Sequence, residues 1–109
     1  MKRGEIRWYT FRPPDKRRPV LILTRNSAIS LLTGITVAPL TSTIRGIPTE
    51  VILSPTDDGG GNPSVVTLDN LQTVSKQQIG KVLTTLTAIQ MEEVERALCM
   101  AVGIDWALR

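Results

Sequence analysis

The stretch DKRRPVLILT, residues 15–24, places three consecutive cations directly before a short apolar run, with Pro19 between them. Residues 20–23 are apolar without polar alternation, which is typical of a strand buried on both faces. Proline is tolerated at the start of such a strand. The stretch therefore predicts a central strand with Lys16, Arg17 and Arg18 at its entrance.

Strand patterns surround this central run. In GEIRWYTF, residues 4–11, apolar and polar residues alternate with the period of a half-buried strand. TGITVAPLTS (33–42), PTEVILSP (48–55), PSVVTLD (63–69) and KVLTTL (81–86) are further strands by the same reasoning. In the second of these, Glu50 and Ile52 are predicted on one face and Val51 and Leu53 on the other.

The end of the chain has helical periodicity. Thr87 and Gln90 form a capping-box pattern, and Gly103 stands where a left-handed C-cap belongs. The apolar positions between them recur at helical spacing: Met91, Val94, Leu98 and Ala101. SKQQIG, residues 75–80, predicts a short helical turn. Six strands and one or two helices without βα alternation indicate a mainly β (α+β) fold. We expect a strongly bent sheet or partly open barrel, formed by one domain that spans residues 1–109.

Composition excludes several classes of protein. The single cysteine, Cys99, forbids an intramolecular disulfide, and the absence of histidine removes the usual zinc ligands. We expect no cofactor and catalysis without metal, with a hard cation held by carboxylates as the alternative. The N-terminus lacks the apolar segment of a signal peptide, and the uncharged residues 26–44 are rich in Ser and Thr and interrupted by Gly34 and Pro39. We expect a cytoplasmic protein that does not enter the membrane.

Charge is distributed unevenly. Eight of the thirteen Lys and Arg residues lie within residues 1–25, against two acids, whereas the remainder of the chain is net acidic. Clustered cations attract polyanions, although a solvated basic face has the same composition. The glycine-rich residues 59–61 are not a phosphate cradle, because Pro63 and a strand follow instead of a helix.

The segments GEIRWY, KRRPVLILTR, VAPLTSTIRGIPTEVIL and VVTLDNLQTV, in this order, resemble the MazF/PemK family of toxin endoribonucleases over essentially the whole chain. The resemblance implies an SH3-like, strongly curved β-barrel related to the CcdB toxins, with a C-terminal helix, assembled as a homodimer. It implies a type II toxin that cuts single-stranded RNA at short sequences without metal, leaves a 2′,3′-cyclic phosphate, and thereby arrests translation and growth. It also implies a MazE-like antitoxin whose acidic C-terminal segment wraps the toxin, and through which the complex binds operator DNA.

Metal-free RNA cleavage must activate the 2′-OH, stabilise charge on the phosphoryl oxygens and protonate the leaving oxygen. Without histidine, a guanidinium and a hydroxyl are the most economical substitutes. Arg18 matches the family's catalytic arginine before proline, and its planar fork can hold two phosphate oxygens. Thr41 matches the family's catalytic threonine. For each, the structural alternative is a surface cation or a turn hydroxyl.

The remaining site residues are assigned to binding. Phosphate contacts tolerate approximate geometry and add per charge. We expect such RNA contacts from Lys16, Arg17, Arg25 and Arg45, and Ser42, which adjoins Thr41, is assigned to RNA binding as a residue that shares its role. Asp69 and Asn70 fall where relatives carry an acidic residue and a glutamine near the substrate groove, and an Asn amide can read a base edge. The longer loop of many relatives bears a glutamate; here Asp15 is the only acid, so Asp15 and water remain as alternatives for the general base.

Two aromatic residues near the strand ends have separate expected roles. We expect Trp8 in the core, and Phe11 in contact with RNA or a partner subunit. Two other functions remain open at this point: a non-catalytic nucleic-acid-binding module of the same fold, and a CcdB-type toxin directed at gyrase. The second would use an exposed aromatic tail, whereas Trp106 is followed here by ALR.

Overall fold

Residues 15–24 do supply the central strand of the sheet. In the computed structural model, which describes residues 1–12, 16–55 and 62–105, this strand runs over Arg17–Ile22 and lies between two antiparallel neighbours. Val20, Leu21 and Ile22 are fully buried although they point to alternate faces. The uninterrupted apolar run thus has the double-sided burial that its sequence indicates.

The elements follow one another as short strands closed by one long helix. The strands are β1 (Glu5–Thr10), β2 (Arg17–Ile22), β3 (Gly34–Thr41), β4 (Glu50–Leu53), β5 (Ser64–Thr67), β6 (Gln72–Ser75) and β7 (Ile79–Thr85). The α-helices are α1 (Asn26–Ile29) and α2 (Ala88–Ala101), and 3-10 turns occupy Leu68–Asn70 and Lys76–Gln78. The sheet order is β4-β5-β3-β2-β1-β7, with β6 also on β3, and all pairs are antiparallel. The predicted mainly β fold with a closing helix is confirmed.

The bend of the sheet lies in β3. One edge of this strand pairs with β2. The other edge pairs with β6 as far as Val37 and with β5 from Leu40 onward. Pro39 lies at the change and has no backbone N–H to donate to either partner. Its carbonyl instead accepts a 2.8 Å hydrogen bond from the buried Thr67 hydroxyl. β3 is therefore the corner on which two parts of the sheet meet.

The bent sheet has an apolar cluster on each face. Under α2, Val94 and Ala97 pack against strand residues that include Ile6, Leu21 and Leu40. The opposite face carries a smaller cluster, in which Ile29 of α1 covers strand residues: Val20, Ile22, Ile35, Val37 and Val74. Burial on both sides fixes the register of the central strands, because a one-residue slip would exchange the two faces.

The ends of α2 agree with the sequence pattern. The Thr87 hydroxyl accepts the backbone N–H of Gln90, and the Gln90 side chain accepts the backbone N–H of Thr87. After the helix, Gly103 has φ +80°, the left-handed conformation that glycine adopts at little cost. Both predicted caps are confirmed. None of the helices in the described residues is long and apolar enough to cross a membrane.

The structure departs from the sequence interpretation in three places. The sheet has seven strands and not six, because Gln72–Ser75 forms β6 although only Val74 of its residues is buried. The helix α1 was not predicted, since its four residues carry no side-chain N-cap and no helical periodicity. Trp8 is half-buried and outside both apolar clusters, with its ring covered by the Arg17 guanidinium instead of by core residues.

Candidate active site

Arg18 and Thr41 come together through the pairing of β2 with β3. The antiparallel register pairs Val20 with Pro39 and Leu21 with Ala38, and Arg18 and Thr41 each lie two residues beyond the Val20–Pro39 pair. Residues i and i+2 of a strand share a face, so both side chains lie on the face of Val20 and Pro39. Both line one cavity, and both are half-buried. The two proposed catalytic residues are neighbours although 23 positions separate them in the sequence.

This cavity is polar and mainly cationic. Besides Arg18 and Thr41, its walls are supplied by side chains from β3, β4, β5 and the loops between them: Pro39, Thr43, Arg45, Glu50, Thr67 and Asn70. Two guanidinium groups face one carboxylate, and three threonine hydroxyls and one amide surround them. Guanidinium groups stay protonated throughout the physiological range. The cavity therefore offers positive charge and hydrogen-bond donors to an anion.

A groove continues from the cavity. Arg18, Pro39 and Asn70 line both depressions, and the groove adds Phe11, Asp69, Leu71 and Gln72. Phe11, which directly follows β1, is half-buried and lines this groove together with Arg18. A polymer whose phosphate contacts Arg18 would thus have further contacts along the surface. The arrangement favours an extended anionic substrate over a small isolated ion.

Glu50 holds the backbone on the Arg45 side of the cavity. Its Oε1 accepts the backbone N–H groups of Arg45 at 3.0 Å and of Gly46 at 3.1 Å. Gly46 has φ +74° in this turn, which favours glycine. Glu50 itself pairs with Thr67 in the β4–β5 ladder. The sequence placed Glu50 correctly on the face opposite Val51 and Leu53, but not its contact with the loop; an acid four residues after an Arg-Gly pair was the available signal.

Thr41 and Asp69 have local structural contacts as well. Thr41 Oγ1 accepts the backbone N–H of Thr43 at 3.3 Å, the turn hydroxyl bond that such residues commonly form. A hydroxyl that accepts a hydrogen bond still has its own proton to donate, so Thr41 remains able to bond a phosphate oxygen. Asp69 Oδ2 accepts the Thr49 hydroxyl, while the backbone N–H of Leu68 donates to Thr49 O. Asp69 thereby joins the 3-10 turn to the loop before β4.

Other residues assigned to RNA contact lie outside the cavity and its groove. Arg17 is on the opposite face of β2 from Arg18, with its guanidinium carbon 4.1 Å from the Trp8 ring centroid. Lys16 and Ser42 are exposed beside the strand ends but line neither depression. Arg25 is exposed beyond the far end of β2. Asp15, the alternative general base, lies outside the described residues.

Residues that could hold a metal are not grouped. Within residues 1–12, 16–55 and 62–105, no three His, Cys, Asp or Glu side chains come close enough to share an ion. Glu50 is the one carboxylate of the described residues that lines the Thr41 cavity. Arg18 and Arg45 supply the positive charge that lines the same cavity.

The sequence of this chain is similar to those of known toxins. A family model described as PemK-like, MazF-like toxin of type II toxin-antitoxin system matches residues 2–102. Endoribonuclease MazF3 of Mycobacterium tuberculosis is 44% identical over 96 residues, which cover 86% of this chain and 90% of that protein.

Solved structures agree with the sequence comparison. The Mycobacterium tuberculosis toxin MazF-mt6 matches with a TM-score of 0.85 and 40% identity, covering 94% of this chain and 99% of that one. An endoribonuclease in complex with its cognate antitoxin, from a mycobacterial species, matches with a TM-score of 0.84 and 28% identity, covering 97% and 98%. Similarity therefore extends over the strands that carry Arg18 and Thr41 and over α2.

Proposed function

Because the chain belongs to the PemK/MazF family of toxins of type II toxin–antitoxin systems, we propose that it cleaves single-stranded RNA with Arg18 and Thr41 as its catalytic residues. Its curated relatives are named endoribonucleases. The observation that supports the residue assignment is that Arg18 of β2 and Thr41 of β3 line one cationic cavity, close to where β2 and β3 pair through Val20 and Pro39. Residues 1–109 act in this proposal as a single toxin domain.

The reaction needs no redox change and no group beyond the RNA itself. The 2′-oxygen attacks the adjacent phosphorus, the bond from phosphorus to the 5′-oxygen breaks, and a 2′,3′-cyclic phosphate remains. Arg18 holds the non-bridging oxygens, where charge accumulates in the transition state, and the Thr41 hydroxyl donates to one of them. The 2′-OH proton passes to Asp15 or to water, and water supplies the proton of the leaving oxygen.

Binding is divided among the surrounding side chains. Arg45 contributes a second cation at the same cavity, and Asn70 presents its amide to both the cavity and the groove. Lys16, Arg17, Arg25 and Ser42 are further from the cavity, where they act through the phosphate backbone of a longer RNA. Asp69 serves the groove chiefly by fixing the turn that carries Asn70.

The proposed assembly follows the family. We propose a homodimer in the cytoplasm that is held inactive by a cognate MazE-like antitoxin with an acidic C-terminal segment. The solved relative in complex with its cognate antitoxin supports this partner. The excess of cations over acids in residues 1–25 supports an acidic segment as its binding element. The toxin–antitoxin complex would bind operator DNA through the antitoxin.

The test is cleavage of a long single-stranded RNA in excess EDTA, followed by primer extension. We expect discrete cuts at a short recurring sequence and products ending in 2′,3′-cyclic phosphate. Intact RNA that still binds the protein in a salt-dependent manner would instead identify a non-catalytic nucleic-acid-binding module. The gyrase-directed alternative is not favoured, because the curated relatives are endoribonucleases.

A further inference from the structure

A second pocket adjoins the active-site groove at Phe11. Phe11 borders both, since it lines the Arg18 groove and this neighbouring pocket. Its walls are formed by residues of β1 and the segment directly after it, of β6, and of the 3-10 turn after β6, chiefly Tyr9, Phe11, Arg12, Thr73, Ser75 and Gln78. Tyr9 is the β1 partner of Arg18 in the sheet. The pocket thus begins one strand spacing, about 4.8 Å, from the strand that carries Arg18.

The pocket has two rigid aromatic rings on one side. The Tyr9 and Phe11 ring centroids are 4.7 Å apart, with the ring planes at 75°. The Tyr9 hydroxyl donates to Gln78 Oε1 at 3.1 Å. Edge-to-face packing and this hydrogen bond hold both rings before any ligand arrives. Aromatic faces of this kind are what unpaired bases stack on.

Polar groups complete the pocket. The Tyr9 bond occupies the Gln78 carbonyl oxygen, and no acceptor for the Gln78 amide N–H groups occurs in the described part of the chain. Arg12 is exposed and forms no ion pair with the residues described. The Thr73 and Ser75 side chains provide hydroxyls. A cation, hydroxyls and a free amide beside aromatic rings match a nucleotide, which combines a phosphate, a ribose and a base.

We infer that this pocket binds a nucleotide of the RNA that flanks the cleaved bond. In this inference, which rests on the proposed function, the base packs against Tyr9 or Phe11 and the Gln78 amide donates to a base acceptor. Arg12 contacts the adjoining phosphate. RNA is favoured over a second copy of the chain because the pocket is rich in polar groups and continuous with the cationic groove, whereas obligate subunit interfaces are largely apolar. The pocket would extend the recognised sequence beyond the nucleotides at Arg18.

The test combines truncated substrates with pocket variants. Oligonucleotides containing the cleavage sequence of the wild type are shortened one nucleotide at a time from each end, and kcat/KM is measured for each. Removing the nucleotide that occupies the pocket should lower kcat/KM of the wild type about tenfold, as loss of one base–aromatic stack implies. For Phe11→Leu and Gln78→Ala we expect that same truncation to cost less than about twofold, because the contact is already lost.

Gln77→Ala is the matched control. Gln77 lies in the same 3-10 turn and is exposed, but it does not line the pocket; this variant should retain the full truncation effect. Arg12→Gln is a second pocket variant that leaves both rings in place, and it should weaken dependence on the adjoining phosphate. Sedimentation of each variant measures its oligomeric state.

The outcomes are distinct. If the pocket variants reduce activity equally on long and short substrates, or alter only the oligomeric state, the inference is overturned while the endoribonuclease proposal stands. If the wild type cuts no RNA, the proposed function itself fails. Loss of the truncation effect in Phe11→Leu and Gln78→Ala, with retention in Gln77→Ala, supports the pocket as a nucleotide site.

Discussion

Arg18 of β2 and Thr41 of β3 line the same cavity, each two residues beyond the Val20–Pro39 pair of the sheet. The same pairing buries Val20 and Leu21 on opposite faces of the sheet. The apolar cores therefore determine which of the three adjacent cations, Lys16, Arg17 or Arg18, reaches the cavity. Because the strand register that is fixed by the core also positions the cavity residues, substitutions in the core should affect the cavity even where they do not contact the phosphate.

Thr67 offers a test of this dependence. Its buried hydroxyl donates to Pro39 O at the corner of the sheet, so Thr67→Val leaves that carbonyl without its partner. We expect the free energy of unfolding to fall by about 1 kcal/mol, measured by urea denaturation. Thr85→Val is the control, since Thr85 is exposed on β7. Equal stability of the two variants would show that the Pro39 bond does not hold the corner.

Glu50 should act through the loop that it orders. Glu50→Ala removes the acceptor of the Arg45 and Gly46 backbone N–H groups, and we expect KM for RNA to rise about threefold to tenfold. Glu50→Gln keeps an oxygen that can accept both bonds, and should restore most of the lost affinity. A Gln variant with normal KM and strongly reduced kcat would instead identify Glu50 as the general base.

Two arginines at different places provide a matched comparison. Arg45 lines the cavity and Arg25 lies beyond the far end of β2. We expect Arg45→Ala to lower the slope of log affinity against log salt by about 1, as one lost phosphate contact implies. Arg25→Ala should change binding of a short oligonucleotide little. Equal losses in both variants would indicate that general positive charge, and not the cavity, binds the RNA.

Glu5 should contribute stability that depends on pH. Partial burial raises the pKa of Glu5, but hydrogen bonds from the Arg7 side chain and the Lys2 backbone, with the charge of Arg7, outweigh it and leave the pKa below its ordinary value of 4.5. A lowered carboxyl pKa stabilises the fold above pH 4.5, and this contribution disappears as the pH falls through the folded-state value.

The corresponding variant is Glu5→Gln, measured by urea denaturation at pH 7 and near pH 3. It should be less stable than the wild type at pH 7, and the difference should shrink at the lower pH. Glu93→Gln, at an exposed position of α2, controls for general charge effects. A stability difference for Glu5→Gln that stays constant over this range would contradict the electrostatic account.

The elements that could be predicted from the sequence are those whose own residues show a strand or helix pattern. A few adjacent residues are enough to indicate the structure in three places: the alternation in β1, the apolar run of β2 and the Thr87 capping box. β6 was missed because three of its four residues are polar and exposed, so that only its pairing with β3 identifies it as a strand. Its stability comes from a partner distant in sequence, which no local pattern reports.

The structure groups some of the predicted site residues and not others: Lys16, Arg17, Arg25 and Ser42 line neither the cavity nor the groove. Arg18, Thr41, Arg45 and Asn70 do line one cavity. Arg17 and Arg18 lie on opposite faces of β2 because successive side chains of a strand alternate. The sequence interpretation begins the strand at Pro19, two residues after its actual start at Arg17, and so does not predict that alternation for the two arginines. The contacts of Glu50 with Arg45, and of Asp69 with Thr49, depend on how loops fold against strands.

The most direct test of the central claim is the single-turnover cleavage rate of wild type, Arg18→Ala, Thr41→Ala and the double variant on one oligonucleotide in EDTA. We expect losses of about 100- to 1,000-fold for Arg18→Ala and about 10- to 100-fold for Thr41→Ala. The double variant should lose less than the product, because both side chains act on one phosphate. Near-wild-type rates for either single variant, in folded protein that binds RNA normally, would contradict the assignment of that residue to the reaction.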